Sequence, residues 1–181
     1  MKAIFLDRDG VINRYPGDGK YVTSWKEFKF LPKAKKAIAK LYKNRFKIFV
    51  ISNQAGVNKG IFSQNRLDFI TKNMLKAIEE SQGKIDKVYY CTHRQQDNCS
   101  CRKPKAGLMH LAKKQYQVNL KNSFFIGDTI RDVKTAKAAG CKSILVLSGK
   151  EKLSNRKNWE TQPDFIFSNF YKATEFILKP K

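Results

Sequence analysis

Five short apolar runs recur along the chain, each separated from the next by an amphipathic segment. They are Ala3–Leu6, Lys47–Ile51, Val88–Cys91, Phe124–Ile126 and Ser143–Leu147, with Asp164–Phe167 as a candidate sixth at a sheet edge. Runs of three to five residues, apolar but for a leading Lys47 or Ser143, are too short for buried helices and too continuous for half-exposed strands, so they read as strands covered on both faces. The segments between them repeat apolar residues at helical spacing. Ala34, Ala37, Ile38, Leu41 and Tyr42 share one face within Pro32–Lys43, and Leu67, Ile70, Met74, Leu75 and Ile78 share another behind a candidate N-cap at Ser63. Further helices are expected over Ala106–Tyr116, Arg131–Ala139 and Tyr171–Leu178. Strands alternating with helices predict an α/β fold, one Rossmann-like domain spanning 1–181 with a central parallel sheet flanked by helices. At 181 residues the chain suits one domain with a substantial core. Two irregular stretches, 13–30 and 92–105, follow strand ends, where open α/β sheets bind ligands.

Composition restricts the partners. The apolar run near Met1 is far shorter than a signal-peptide core or a membrane span, and no other stretch approaches one, so a cytoplasmic protein without membrane contact is expected. Lysine and arginine outnumber acids 37 to 15, a net charge of +22. These cations are spread over the whole chain, as around the helix carrying Lys33, Lys35, Lys36, Lys40 and Lys43. They are read as solvated surface, and no nucleic-acid partner is expected from them. A monomer acting on a small molecule is the expectation.

Three of the strands end in chemistry. The first runs into Asp7-Arg8-Asp9-Gly10. Two carboxylates this close behind a buried strand repel one another unless a cation offsets them, and magnesium, which favours oxygen ligands shared with a phosphate, suits such a pair. One carboxylate can attack phosphorus and the other can protonate a leaving oxygen. The second strand ends in Ser52-Asn53-Gln54, whose hydroxyl and amides can hydrogen-bond a phosphate. A later strand ends in Gly127-Asp128-Thr129, a further candidate metal ligand. Asp132 behind it reads either as a partner supporting the metal ligands or, by preference, as an ordinary acid favoured at a helix N-terminus.

Between these lies Cys91-Thr92-His93, then five residues, then Cys99-Ser100-Cys101. Three thiols and an imidazole in one loop make a closed ligand set of the structural-zinc type, with no open position for catalysis. Arg102-Lys103-Pro104 follows at once, offering a guanidinium fork and an ammonium to phosphate oxygens. Cys141 stands apart and reads as a small buried hydrophobe, and His110 as an ordinary helix residue.

In order, Asp-x-Asp-Gly, Ser-Asn-Gln, Arg-Lys-Pro and Gly-Asp resemble the four motifs of the haloacid dehalogenase superfamily, over nearly the whole chain. The resemblance is closer to its branch without a large cap domain and with a zinc loop, here about 91–103. It implies a phosphoric monoester hydrolase with Asp7 as nucleophile and Asp9 as general acid/base. Ser52, Asn53, Arg102 and Lys103 would hold the phosphoryl group. Magnesium would sit on Asp7, the Asp9 carbonyl and Asp128, and structural zinc on Cys91, His93, Cys99 and Cys101. Within that branch Gln54–Gly60, Lys20-Tyr21-Val22, Trp25–Phe30 and Ser148-Gly149-Lys150 are similar to the heptose 1,7-bisphosphate 7-phosphatases, implying a phosphorylated sugar as substrate. Thr129 departs from the lysine often found there, and the turn at 15–20 is slightly longer than usual. Histidinol-phosphate phosphatase, polynucleotide 3′-phosphatase and a non-catalytic basic zinc module remain the alternatives.

Overall fold

The computed structural model describes residues 1–179, and the chain folds there as a six-stranded, wholly parallel sheet with helices on both faces. In chain order the elements are β1 (Ala3–Leu6), α1 (Ala34–Lys43), β2 (Lys47–Asn53), α2 (Gln64–Glu79), β3 (Lys87–Cys91), α3 (Gly107–Tyr116), β4 (Phe124–Gly127), α4 (Ile130–Ala138), β5 (Lys142–Val146), β6 (Phe165–Phe167) and α5 (Phe170–Ile177). The strand order β3-β2-β1-β4-β5-β6 puts β1 at the centre. The chain moves outward from β1 to β3, then crosses back to lay β4 on the other side of β1. That reversal opens a crevice at the carboxyl ends of β1 and β4, the position where doubly wound sheets hold ligands.

Each central strand supplies both cores by simple alternation. Ile4 and Leu6 of β1 join Ile48, Val50, Ile126 and the inner faces of α1, α2 and α5. Ala3 and Phe5 face the other way, onto Phe49, Ile51, Phe125 and the α3 side. Every residue of β1 is fully buried, and Phe5 stacks on Phe49 with ring centroids 5.4 Å apart. Burial of such a side chain contributes about 2–3 kcal/mol, so β1 is fixed more firmly than any surface element. Register follows: Leu6 pairs with Val50 on one side and Ile126 on the other, so Asp7 emerges beside the end of β4 while β2 continues to Asn53.

The sixth strand forms at the edge as expected, parallel to β5. Ser63 caps α2, its side chain accepting a hydrogen bond from the Arg66 amide. Two expectations change. Tyr42, placed by periodicity on the buried face of α1, is 45% exposed; it lies at the rim of the apolar stripe, where an aromatic body can lie flat with its polar tip in water. And β2 runs two residues farther than its apolar run, so Ser52 and Asn53 are ladder residues paired with Tyr90 and Cys91. Their polar side chains hid a strand end that backbone pairing fixes. Cys141 is buried, as expected of a small hydrophobe. Among the described residues no helix is long and apolar enough to cross a membrane.

Candidate active site

Three carboxylates converge at the crevice. Oxygens of Asp7, Asp128 and Asp132 all lie within 4.8 Å of one another. Asp7 continues β1, its amide donating to the Ile126 carbonyl at 3.0 Å, while Asp128 directly follows β4. One cation meets them from the side: Lys103 Nζ lies 2.8 Å from Asp7 Oδ2 and 2.7 Å from Asp132 Oδ1. Three negative charges against one positive leave two uncompensated in a largely buried corner of the cleft. Burial pushes the Asp7 carboxyl up to about 6 despite Lys103 beside it. Burial, and then the charges of Asp132 and Asp7, drive Asp128 well above its ordinary range. A divalent cation is the partner this charge count fits, and all-oxygen ligands suit magnesium.

Close backbone approach is what makes room for Asp128. A Cβ on Gly10, whose φ is +82°, would fall 2.2 Å from Asp128 Oδ2, and one on Gly149 would fall 2.0 Å from the same atom. Only glycine fits at either point. The carboxylate is further held by the Lys150 amide at 2.8 Å. Ser148 Oγ donates to the Gly10 carbonyl at 2.7 Å, tying the segment after β5 to the turn after β1.

Asp132 combines the two roles that its sequence left open. It does cap α4, forming a reciprocal capping box with Thr129. Yet its second oxygen is the ion-pair partner of Lys103, and the residue is 2% exposed. One carboxylate does both tasks, and what local sequence did not name is the partner, Lys103.

Asp9 faces elsewhere. Its carboxylate lies outside the acidic trio and takes Arg8 Nη2 at 3.0 and 3.1 Å, Arg8 Nε at 3.2 Å, Asn13 Nδ2 at 2.8 Å and Gln54 Nε2 at 3.0 Å. This leaves the main-chain carbonyl as the ligand the family resemblance assigns to Asp9. Arg8 is the largest fully buried side chain among the described residues. Burial would pull its guanidinium down, but the Asp9 carboxylate holds it above its ordinary value. The rings of Phe28 and Tyr90 flank it at 6.0 and 5.9 Å. Arg8 and Asn13 were not singled out from sequence, and Gln54, whose amide was read as a possible phosphate contact, donates to Asp9 and Ser52 instead.

The opposite wall carries phosphate-binding candidates. Ser52 is buried at the end of β2, and Lys103 is 3% exposed. Asn53 grips Lys103 through the backbone: Nδ2 donates to the Lys103 carbonyl at 3.2 Å, and Oδ1 accepts from its amide at 3.1 Å. Both ends of that side chain are therefore engaged in placing the lysine. Arg102 lines the cleft and donates from Nη1 to the His93 carbonyl at 3.0 Å. The Lys103–Pro104 peptide is cis. Together with Tyr15–Tyr21, Arg131 and Lys150 these groups enclose about 370 Å³, room for a small phosphorylated molecule.

Beyond the cleft sits the second cluster. Sulfur atoms of Cys91, Cys99 and Cys101 lie 3.3–3.7 Å apart, and His93 Nδ1 lies 3.2 Å from Cys101 Sγ and 3.7 Å from Cys91 Sγ. Such spacings are far too long for disulfides and close to the edge of about 3.7 Å in a tetrahedron with zinc–sulfur distances of about 2.3 Å. The four ligands fit zinc with no position left open. Two arginines brace this loop: Arg102 bonds within it as above, and Arg94 ties it to the turn after β2, donating from Nε and Nη2 to the Asn58 carbonyl at 2.8 and 2.5 Å.

Comparison with known proteins agrees with this geometry. The HAD-hydrolase-like family profile matches residues 100–173. The chain is 35% identical over 150 residues to D-glycero-beta-D-manno-heptose-1,7-bisphosphate 7-phosphatase of Pseudomonas putida, covering 83% of this chain and 85% of the relative. It is 34% identical over 151 residues to the D-glycero-alpha-D-manno-heptose-1,7-bisphosphate 7-phosphatase of Campylobacter jejuni, with coverage of 83% and 85%. The crystal structure of D,D-heptose 1,7-bisphosphate phosphatase from B. bronchiseptica, complexed with magnesium and phosphate, superposes with a TM-score of 0.92 at 31% identity over 98% of both chains.

Proposed function

This chain belongs to the haloacid-dehalogenase-type family of heptose-1,7-bisphosphate 7-phosphatases, and we propose that it removes the 7-phosphate of a heptose 1,7-bisphosphate through an aspartyl-phosphate on Asp7. The observation that carries this reading is the trio of Asp7, Asp128 and Asp132 around Lys103, two negative charges in excess at the carboxyl ends of β1 and β4. Magnesium bound there offsets the charge of the carboxylates and the phosphoryl oxygens together.

The chain's own residues divide the remaining work. Lys103, Ser52 and Arg102 hold the phosphoryl oxygens, the ammonium as a point charge and the guanidinium as a fork. An oxygen of Asp7 forms a bond to phosphorus as the bond from phosphorus to the sugar oxygen breaks, and Asp9 delivers a proton to that departing oxygen. Asp9 then takes a proton from water, whose oxygen attacks phosphorus, and Asp7 leaves as a carboxylate with inorganic phosphate released. Lys103 is the pivot, because its contact with Asp7 is displaced toward phosphate when the anion enters. The substrate is a small molecule and the enzyme acts as a monomer; the cations facing the substrate are those at the mouth of the cleft, Lys20, Arg131 and Lys150.

The test is phosphate release from both anomers of the heptose 1,7-bisphosphate, fructose 1,6-bisphosphate, histidinol phosphate and a 3′-phosphorylated oligonucleotide. A heptose anomer should lead by at least tenfold in kcat/KM. A lead for histidinol phosphate or the oligonucleotide would overturn the substrate assignment.

A further inference from the structure

We infer that Gln54 is a positioning residue for proton transfer, holding Asp9 against the phosphate wall while Arg8 pulls it away. This rests on the phosphatase reading above. Arg8 approaches Asp9 with three contacts from a fully buried guanidinium, a planar fork that can take both carboxylate oxygens. Alone, that fork would fix Asp9 by its ion pair and leave nothing to aim it at the reacting oxygen. Asn13 adds a contact to Oδ1, the oxygen Arg8 already takes twice.

Gln54 is different. Its Nε2 donates to Asp9 Oδ2 at 3.0 Å and to Ser52 Oγ at 3.2 Å, so one amide nitrogen joins the proton-transfer group to a phosphate-holding hydroxyl. Of the three residues donating to Asp9, it alone also touches Ser52. The side chain cannot wander. It is fully buried, and the Gln54 backbone N–H donates to the Cys91 carbonyl at 2.7 Å, extending the pairing of β2 with β3. Its orientation is set by chemistry, since a carbonyl oxygen turned toward Asp9 would meet a carboxylate. Oε1 is left buried without a partner among the described residues. An orphaned buried acceptor costs about 1–3 kcal/mol, a cost consistent with a side chain kept for where its nitrogen points.

The consequence depends on the leaving group. A sugar alkoxide must be protonated as it departs, whereas nitrophenolate leaves as a stable anion. Since kcat/KM reports steps up to leaving-group departure, misplacing Asp9 should affect the first substrate and spare the second. The experiment measures kcat/KM of the magnesium-loaded enzyme for a heptose 1,7-bisphosphate and for p-nitrophenyl phosphate, in wild type, Gln54→Met and Gln54→Glu. Both substitutions keep the side-chain length and remove the amide donor. The expected result is a loss on the order of 30-fold or more for the sugar phosphate, within the range of general acid catalysis, and less than threefold for p-nitrophenyl phosphate. Parallel losses on both substrates, in whichever variant folds, would mean that Gln54 only supports Ser52 or the fold, and would overturn the assignment. A wild type inactive on both would overturn the phosphatase reading and this inference with it.

Discussion

The two metal-fitting clusters of this molecule are built in opposite ways. The acidic trio hangs from the ends of β1 and β4, with Asp128 and Asp132 almost wholly buried and the sheet register holding Asp7 within one residue of the level of Asp128. The Cys/His cluster is built on the tip of β3 and an irregular loop, with His93 exposed and Cys99 and Cys101 only half-buried. The first site is placed by the hydrophobic core before any ion arrives. The second has little core of its own, and its ion must supply the order that burial supplies elsewhere. Both nevertheless converge on one residue, Lys103, which leaves the zinc loop in sequence and reaches the acidic trio in space.

Breaking the loop should therefore damage the acidic site through Lys103. Cys101→Ser is expected to lose zinc and lower kcat/KM on the order of 10²-fold, because small misplacement of a positioning group costs that much. Hydrogen exchange should show amides at 92–105 losing protection while those of Ala3–Leu6 keep it. Simultaneous loss in both regions would show that the zinc supports the whole fold and not a loop.

The acidic site should respond to pH in the opposite sense from an ordinary salt-bridged carboxylate. Asp7 is raised from 3.8 to about 6, so between those values the folded chain holds a proton that the unfolded chain has lost. Stability of the metal-free protein then falls as pH rises through about 6, by up to about 3 kcal/mol from this group. Melting temperature without magnesium should be higher at pH 5 than at pH 7.5, and magnesium should remove the difference. A metal-free melting temperature that climbs steadily from pH 5 to 7.5 would contradict the crowded-carboxylate account.

Smaller effects sharpen the division of labour. Asn53→Ala frees the backbone of Lys103 on both sides and should raise KM several-fold, with steady-state kinetics as the check; an unchanged KM would show that Pro104 and the zinc suffice. Thr129→Ala removes half of the capping box and should cost about 1 kcal/mol in denaturant unfolding. Activity should fall less than stability suggests, because Lys103 still fixes Asp132.

Much of this was legible in the sequence, for reasons tied to particular residues. The β1 run is apolar at every position because both faces are covered, and the acids behind it could only mark a strand end. Cys91, His93, Cys99 and Cys101 announced themselves by crowding. What escaped was long-range pairing of polar groups. Nothing local distinguishes Asp132 as a helix cap from Asp132 as the partner of a lysine 29 positions earlier. Arg8 between two aspartates looks like a surface residue until Phe28, Tyr90 and Gln54 close around Asp9 and its partner. Asn53 read as a phosphate contact, but side chain–backbone bonds across 50 positions give it a second task.

The central claim, that a core-placed Asp7 performs the chemistry, is tested most directly by Asp7→Asn. Phosphate release from the heptose bisphosphate should vanish, while the metal-free melting temperature at pH 7.5 stays level or rises as one carboxylate leaves the crowd. Substantial phosphate release by that variant, or its unfolding, would contradict the account.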